Sequence, residues 1–376
     1  MTVPGLAPMP VAGRAASVRA TVDEAGCDAL VVSNLANVRW LTGFTGSSAV
    51  VFVAGDSVHL VTDGRYGDQA QAQMSEAGVT GAVHVGLTPA AQLAVLKRLG
   101  QGVARIGLEA ATITWTTQRS YAAEAFASAE LVATSGLIER LRAVKDDGEI
   151  ERITAAASIA DQALGDVVGR LSDGPTETDF ALELDIAMRR RGADGPSFDT
   201  IVASGPGSAR PHHRPDGRRI VEGDLVVVDF GATVDGYHSD MTRTFVVGPP
   251  TPAQSSLLEL VAAAQAAGVA AVRSGIAAHD VDRACRGVIE QAGFGEQFTH
   301  GTGHGIGLVI HEEPFLARVP TVTLAAGNVI TVEPGVYLSG VGGVRVEDAL
   351  LVTRDGSRTL THFSKEPLCR RSPRTT

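Results

Sequence analysis

Two stretches of this chain repeat one pattern, and the pattern restricts the possible folds more than any other feature. Glu222-Gly-Asp-Leu-Val-Val-Val-Asp229-Phe-Gly231 resembles Ala326-Gly-Asn-Val-Ile-Thr-Val-Glu333-Pro-Gly335. Each is a glycine-led turn, a buried strand, an acid at the strand end and then a glycine. A second acid follows in both cases, Asp240 eleven residues after Asp229 and Glu347 fourteen after Glu333. The repeat predicts a duplicated αβ unit whose halves face each other across a shared site. An acid closing an apolar strand is costly to desolvate unless something positive compensates it.

Four carboxylates gathered in one place repel each other, and two divalent cations remove that conflict. Between the two stretches lies His300-Gly-Thr-Gly-His304-Gly-Ile-Gly-Leu-Val-Ile-His311-Glu-Glu-Pro314, where glycines allow close backbone approach. Carboxylates with a single histidine suit two metal ions held mainly by oxygen, Mn²⁺ favoured and Co²⁺ or Zn²⁺ as alternatives. Each acid also has a bland reading. Asp229 caps a turn, Asp240 pairs with Arg243 in solvent, or Glu347 pairs with Arg345 at a surface; the joint pattern requires all of these at once.

The totals exclude several classes. A net charge of −10 opposes nucleic-acid binding, which needs a basic face. The cysteines Cys27, Cys285 and Cys369 form no CxxC pair, so no zinc ribbon or redox motif is expected. Their scatter fits a reducing compartment. The N-terminal stretch lacks a signal-peptide pattern, and the longest apolar stretch, Leu257 to Val272, is interrupted by Glu259, Gln265 and Gly268. A cytoplasmic protein with no membrane association is the expectation.

Taken in order, residues 14 to 26 predict a helix, and strands follow at 28–33, 49–54 and 58–62, the last two joined at Gly55-Asp56. Helix and strand patterns alternate to about Thr134. Asp146, with Glu149 three positions on, opens a long helix as a capping box. Another helix follows Pro175, capped by Thr176 or Thr178. Beyond it, 225–230, 242–247, 329–332 and 344–352 read as strands, with helices at 252–273 and 279–292. The expected organisation is an α/β domain at 1–138, an α+β domain at 139–368 and a basic, frayed tail at 369–376.

With those residues assembled, a family resemblance appears. Asp229-Phe-Gly, Gly236-Tyr-His-Ser-Asp240-Met-Thr-Arg-Thr244, Gly303-His304-Gly-Ile-Gly307, His311-Glu-Glu-Pro314, Glu333-Pro-Gly335 and Arg345-Val-Glu347-Asp348 resemble the M24 metallopeptidases of pita-bread fold. The Xaa-Pro branch, prolidase and aminopeptidase P, is most similar. Asn37-Val-Arg-Trp-Leu-Thr-Gly-Phe-Thr-Gly46 and Leu60-Val-Thr-Asp-Gly-Arg-Tyr66 resemble the creatinase-type N-terminal domain of that branch.

The resemblance implies that Asp229 chelates one metal ion, His304 and Glu333 the other, and that Asp240 and Glu347 bridge both. It implies a bridging hydroxide that attacks the carbonyl before proline, with Glu333 as proton shuttle. His212 and His311 are the implied substrate histidines, with His213 as the alternative to His212. Arg345 positions a bridging acid or a substrate carboxylate, and Tyr237 and His300 stand as supporting candidates. The implied partners are an Xaa-Pro di- or oligopeptide and a second copy of the chain in a homodimer.

Prolidase activity on dipeptides is the leading reading, and cleavage of longer peptides as an aminopeptidase is its rival. Some prolidases carry an arginine directly after the His-Glu-x-Pro segment; Phe315 stands there in this chain. A metal-free creatinase-like hydrolase and a non-catalytic binding module fit less well, because all five ligand positions are filled. His311-Glu312 does not complete HExxH, no P-loop is present, and no serine-hydrolase elbow occurs.

Overall fold

The structure, a computed structural model, describes residues 6–9, 11–319 and 322–367. Cys369 and the basic tail at 369–376 lie outside the described residues. The chain divides into two compact units, one spanning Ala7–Arg142 and the other built from Ala143 onward with Leu6.

The first unit is a six-stranded sheet of β1 (Ala29–Val32), β2 (Ala49–Ala54), β3 (Ser57–Thr62), β4 (Gly81–Val85), β5 (Arg105–Glu109) and β6 (Glu130–Thr134). Its order is β4-β3-β2-β1-β5-β6. The predicted hairpin is present: β2 and β3 run antiparallel with Ala54 opposite Ser57, and Gly55 takes the positive φ that the tight turn requires. Helices α1 (Arg14–Glu24), α2 (Leu35–Thr42), α3 (Gly67–Glu76), α4 (Pro89–Leu99), α5 (Trp115–Ser120) and α6 (Leu137–Ala143) connect or flank the strands. Val31, Phe52, Ile106, Leu108 and Phe126 form much of its core.

The second unit opens with α7 (Asp147–Val167), whose capping box is formed as expected. Asp146 Oδ1 accepts the Glu149 amide at 2.9 Å, and Glu149 Oε2 accepts the Asp146 amide at 3.1 Å. Thr176 caps α8 (Glu177–Arg190). Strands β7 (Gly195–Pro196), β8 (Ile201–Ser204), β9 (Leu225–Phe230), β10 (Ala232–Val234), β11 (Tyr237–His238) and β12 (Met241–Val246) complete this half. The second half contains α9 (Pro252–Ala271), α10 (Ala278–Gln291), β13 (Gly303–Gly305), β14 (Glu312–Leu316), β15 (Val329–Val332), β16 (Gly335–Leu338), β17 (Gly342–Arg345), β18 (Asp348–Val352) and β19 (Ser357–Thr359).

The two halves reproduce one another. In the first, β9 returns as antiparallel β12, with Thr242 opposite Asp229, after the small β10–β11 hairpin. In the second, β15 returns as antiparallel β18, with Val332 opposite Asp348, after the β16–β17 hairpin. Each half thus places one acid at the end of its outgoing strand and another just before its return strand.

Alternation along the strands separates core from site. Val226, Val228 and Phe230 pack with Ala160, Leu164, Phe180 and Leu184 of α7 and α8. Asp229 therefore projects from the opposite face. Ile330 and Val332 likewise pack with Val261, Val281 and Ile289 of α9 and α10. This is the α+β, pseudo-two-fold arrangement that the repeat implies.

The β-rich stretch 344–352 is divided between two strands, because the chain changes sheets at Val346 and Glu347. An unbroken strand would have carried Glu347 along the β16–β17 hairpin; the break sets it at the head of β18 instead.

Candidate metal centre

Asp229, Asp240, His304, Glu333, Glu347, His212, His311 and Arg345 all line one cavity of about 580 Å³. That volume suits a small ligand. His300 and His213 line it as well. Ligand atoms of Asp240, His304 and Glu347 lie within 4.8 Å of one another.

His304 sits in β13, threaded between β14 and β15. This explains two of the neighbouring glycines. A Cβ at Gly303 would overlap the Thr331 carbonyl oxygen, and one at Gly305 the Glu313 carbonyl oxygen. His304 Nδ1 lies 3.0 Å from the Gly305 carbonyl and donates to it. Burial foremost, then His311, pushes its pKa down to about 4, so the ring is neutral and Nε2 carries a lone pair. That lone pair faces Glu333 Oε1 at 3.4 Å and Asp240 Oδ2 at 3.6 Å.

The acids are in the same difficulty. Burial, reinforced by Glu347, Asp229 and Glu333, holds the Asp240 carboxyl well above its usual range. Burial, Glu333 and Asp229 do the same to Glu347. Burial pushes Glu333 up to about 8, against the opposing pull of Arg345. Asp229 Oδ1 and Glu347 Oε1 are buried with no hydrogen-bond partner. Unpaired carboxylate oxygens opposite an imidazole lone pair form a donor set of four acids against one cation, Arg345. Divalent cations fit it, since oxygen ligands and one neutral imidazole match their requirements.

The remaining oxygens are fixed in place. Arg345 Nη2 donates to Asp229 Oδ2 at 2.6 Å, so this buried arginine reaches Asp229 and not Glu347. Its Nε donates to Thr242 Oγ1 at 3.0 Å, and that hydroxyl donates to Glu347 Oε2 at 2.7 Å. Arg345 Nη1 donates to the Tyr337 hydroxyl at 2.7 Å, and Tyr337 lies 3.0 Å from His300 Nε2. One guanidinium thus holds an acid from each half. Asp240 is not paired with Arg243, which donates instead to Asp348 Oδ1 at 2.9 Å.

The adjacent histidines separate clearly. His213 is buried, with Nε2 2.7 Å from Glu177 Oε2. His212 is exposed toward the cavity. His311 is exposed too, its ring 4.3 Å from that of His304 in an edge-on contact. Tyr237 stays out of the cavity lining; it is buried and its hydroxyl donates to Glu149 Oε1. Ligand atoms of Glu177, His213 and Asp216 also cluster, but hydrogen bonds from His213, Ser204 and Asp216 already engage both Glu177 oxygens.

Thr242 and Tyr337 were absent from the sequence-based site. Their signal was period-two spacing, Thr242 two residues after Asp240 and Tyr337 four after Glu333. Glu177 gave only the signal of an acid in a first helical turn, which reads as a dipole contact.

Residues 151–354 match metallopeptidase family M24, and residues 14–144 match the creatinase/prolidase N-terminal domain. The chain is 40% identical over 341 residues to an uncharacterized peptidase of Bacillus subtilis, covering 91% of this chain and 95% of that one. An Xaa-Pro dipeptidase from Bacillus anthracis superposes with a TM-score of 0.88 at 38% identity, over 94% of this chain and 98% of that chain. An X-Pro aminopeptidase from Thermotoga maritima superposes with a TM-score of 0.84 at 32% identity, over 93% and 99%. The chain belongs to metallopeptidase family M24. Its second unit is the pita-bread domain of that family, and its first unit is the creatinase-type N-terminal domain.

Proposed function

We propose that this chain hydrolyses the peptide bond before proline, with dipeptides as its preferred substrates. The observation that carries the reading is the convergence of Asp229, Asp240, His304, Glu333 and Glu347 on one cavity, with two buried carboxylate oxygens left unpaired. Similarity to an Xaa-Pro dipeptidase over nearly the whole chain supports the substrate class.

In this reading Asp229, Asp240, His304, Glu333 and Glu347 would together hold two divalent ions, with Asp229 serving one, His304 and Glu333 the other, and Asp240 and Glu347 shared between them. When bound, the ions supply Lewis-acid polarisation of the scissile carbonyl and lower the pKa of the attacking water. The chain's own groups do the rest. Glu333 takes the water proton on a carboxylate oxygen and delivers it to the leaving nitrogen. His212 and His311, which line the same cavity, would donate to the substrate carbonyl and orient the peptide. Arg345 keeps Asp229 Oδ2 fixed and, through Thr242, Glu347 Oε2, so these acids are already aligned when ions arrive.

Manganese is the ion proposed, and the protein is read as a cytoplasmic homodimer. Among the described residues no helix is long and apolar enough to cross a membrane. Metal-stripped protein should lose activity on Ala-Pro and regain it with Mn²⁺ or Co²⁺. Undiminished activity after thorough chelation and dialysis would overturn the reading. Light scattering tests the dimer.

Aminopeptidase action on longer peptides is the second reading. Phe315, 40% exposed, lines the cavity directly after the His-Glu-Glu-Pro segment and offers no charge there. Comparing Ala-Pro with Ala-Pro-Ala separates the two.

A further inference from the structure

Among the described residues lining the cavity, two carry a permanent positive charge, Arg214 and Arg345. Arg345 is buried and spends its donors on Asp229, Thr242, Tyr337 and the Pro211 carbonyl. Arg214 is exposed and makes no hydrogen bond or ion pair with any described residue. Asp199 lines the same cavity, yet the two form no ion pair.

An exposed arginine without a partner is ordinary on a mobile loop. This loop is pinned. Glu177, fully buried at the start of α8, binds His213 Nε2 at 2.7 Å and the Asp216 amide at 3.2 Å through one oxygen. Its other oxygen accepts the Ser204 amide at 2.7 Å and the Ser204 hydroxyl at 2.6 Å. The chain is therefore tied one residue before Arg214 and two after it. Pro215 restricts φ at the position between. Arg218 is clasped by Asp224 through two bonds, at 2.6 and 2.9 Å. A fixed backbone thus presents one uncommitted guanidinium to a cavity it shares with His212 and Phe315.

We propose that Arg214 is a specificity residue that receives the free α-carboxylate of a dipeptide substrate. The assignment rests on the Xaa-Pro reading above and extends it. Every unmodified peptide carries an anion at its C-terminus. In a dipeptide that anion lies next to the scissile bond, within the volume of the cavity. A guanidinium fork matches a carboxylate in shape and charge, whereas Phe315 offers only an apolar wall. In a longer peptide the carboxylate moves beyond the cavity, and Arg214 has no partner there.

The test is steady-state kinetics of full-length, Mn²⁺-loaded protein on Ala-Pro, Ala-Pro amide and Ala-Pro-Ala. Wild type should favour Ala-Pro over the amide. Arg214→Gln should raise KM for Ala-Pro about tenfold, change kcat by less than about twofold and leave KM for the amide unchanged. Arg214→Lys should recover part of the loss. Arg214 touches no described residue by hydrogen bond or ion pair, so the variants should fold as wild type does. An unchanged KM for Ala-Pro in Arg214→Gln, or equal increases for acid and amide, would overturn the assignment while leaving Xaa-Pro hydrolysis intact. Wild-type protein that cleaves none of the three would overturn the Xaa-Pro reading and the assignment together.

Discussion

The two units each bury carboxylates and settle them differently. Glu109, 8% exposed in the first unit, accepts the Ser33 and Asn34 amides on Oε2 at 2.6 and 2.7 Å. Its Oε1 accepts Asn37 Nδ2 at 2.7 Å. Glu347, 1% exposed in the second unit, has Thr242 on one oxygen and nothing on the other. Both pay for desolvation, and burial raises both pKa values. The carboxylate with saturated oxygens ties chain segments together. The one with a spare oxygen, crowded by three other acids, is shaped for a cation.

Removing Glu347 should have the largest consequence. Glu347→Gln is expected to lower kcat/KM on Ala-Pro by about 10³ or more, roughly 4 kcal/mol of barrier, with a parallel loss of bound metal. A variant that kept both metal and activity would collapse the distinction. Thr242→Val should act more gently. It releases Glu347 Oε2 and Arg345 Nε, and metal affinity should drop about 10–100-fold, as for other groups that orient ligands. Isothermal titration with Mn²⁺ measures this, and an unaltered affinity would show that the Thr242 contact is incidental.

Glu109→Gln tests the other side of the comparison. It should destabilise the protein by about 1–3 kcal/mol, because one of the donors aimed at the carboxylate loses its acceptor. Activity of the folded, metal-loaded variant should stay within about twofold of wild type. If kinetics fell as steeply as for Glu347→Gln with melting unchanged, saturation of hydrogen bonds would not separate structural from functional acids.

The same crowding of acids should set the pH dependence of stability. Glu333 is raised from 4.5 to about 8, and Asp240 and Glu347 are raised as well, so the metal-free folded state binds more protons than the unfolded chain. The Glu333 contribution to stability is fully present below about 4.5 and is lost as pH rises through about 8, and those of Asp240 and Glu347 are likewise lost as pH rises. His304 works in the opposite sense. Its lowered pKa contributes stability above 6.5 that is lost as pH falls through about 4. Metal-free protein should therefore melt at lower temperature at pH 8 than at pH 5.5, and saturating Mn²⁺ should reverse that order. Melting curves with and without chelator decide it; a metal-free protein that gained stability toward pH 8 would contradict the crowding of acids.

What was legible in the sequence was local. The acid-ended strands, the Gly55 turn and the Asp146–Glu149 capping box depend on side-chain alternation and on contacts a few residues apart. Those relations are fixed by backbone geometry, so a string of letters carries them. The M24 motifs extended this to the family and its fold.

Partner choice was decided by the tertiary structure. Arg345 is two residues from Glu347, yet its guanidinium reaches Asp229 on β9. His212 and His213 are neighbours with similar sequence credentials and both line the cavity, yet Glu177, 36 residues before His213, holds His213 buried and leaves His212 exposed there. The break at Val346–Glu347 follows from pairing with two different sheets. Hydrogen bonds and desolvation act through space, so which acid is saturated and which is left wanting a cation appears only when distant strands are brought together.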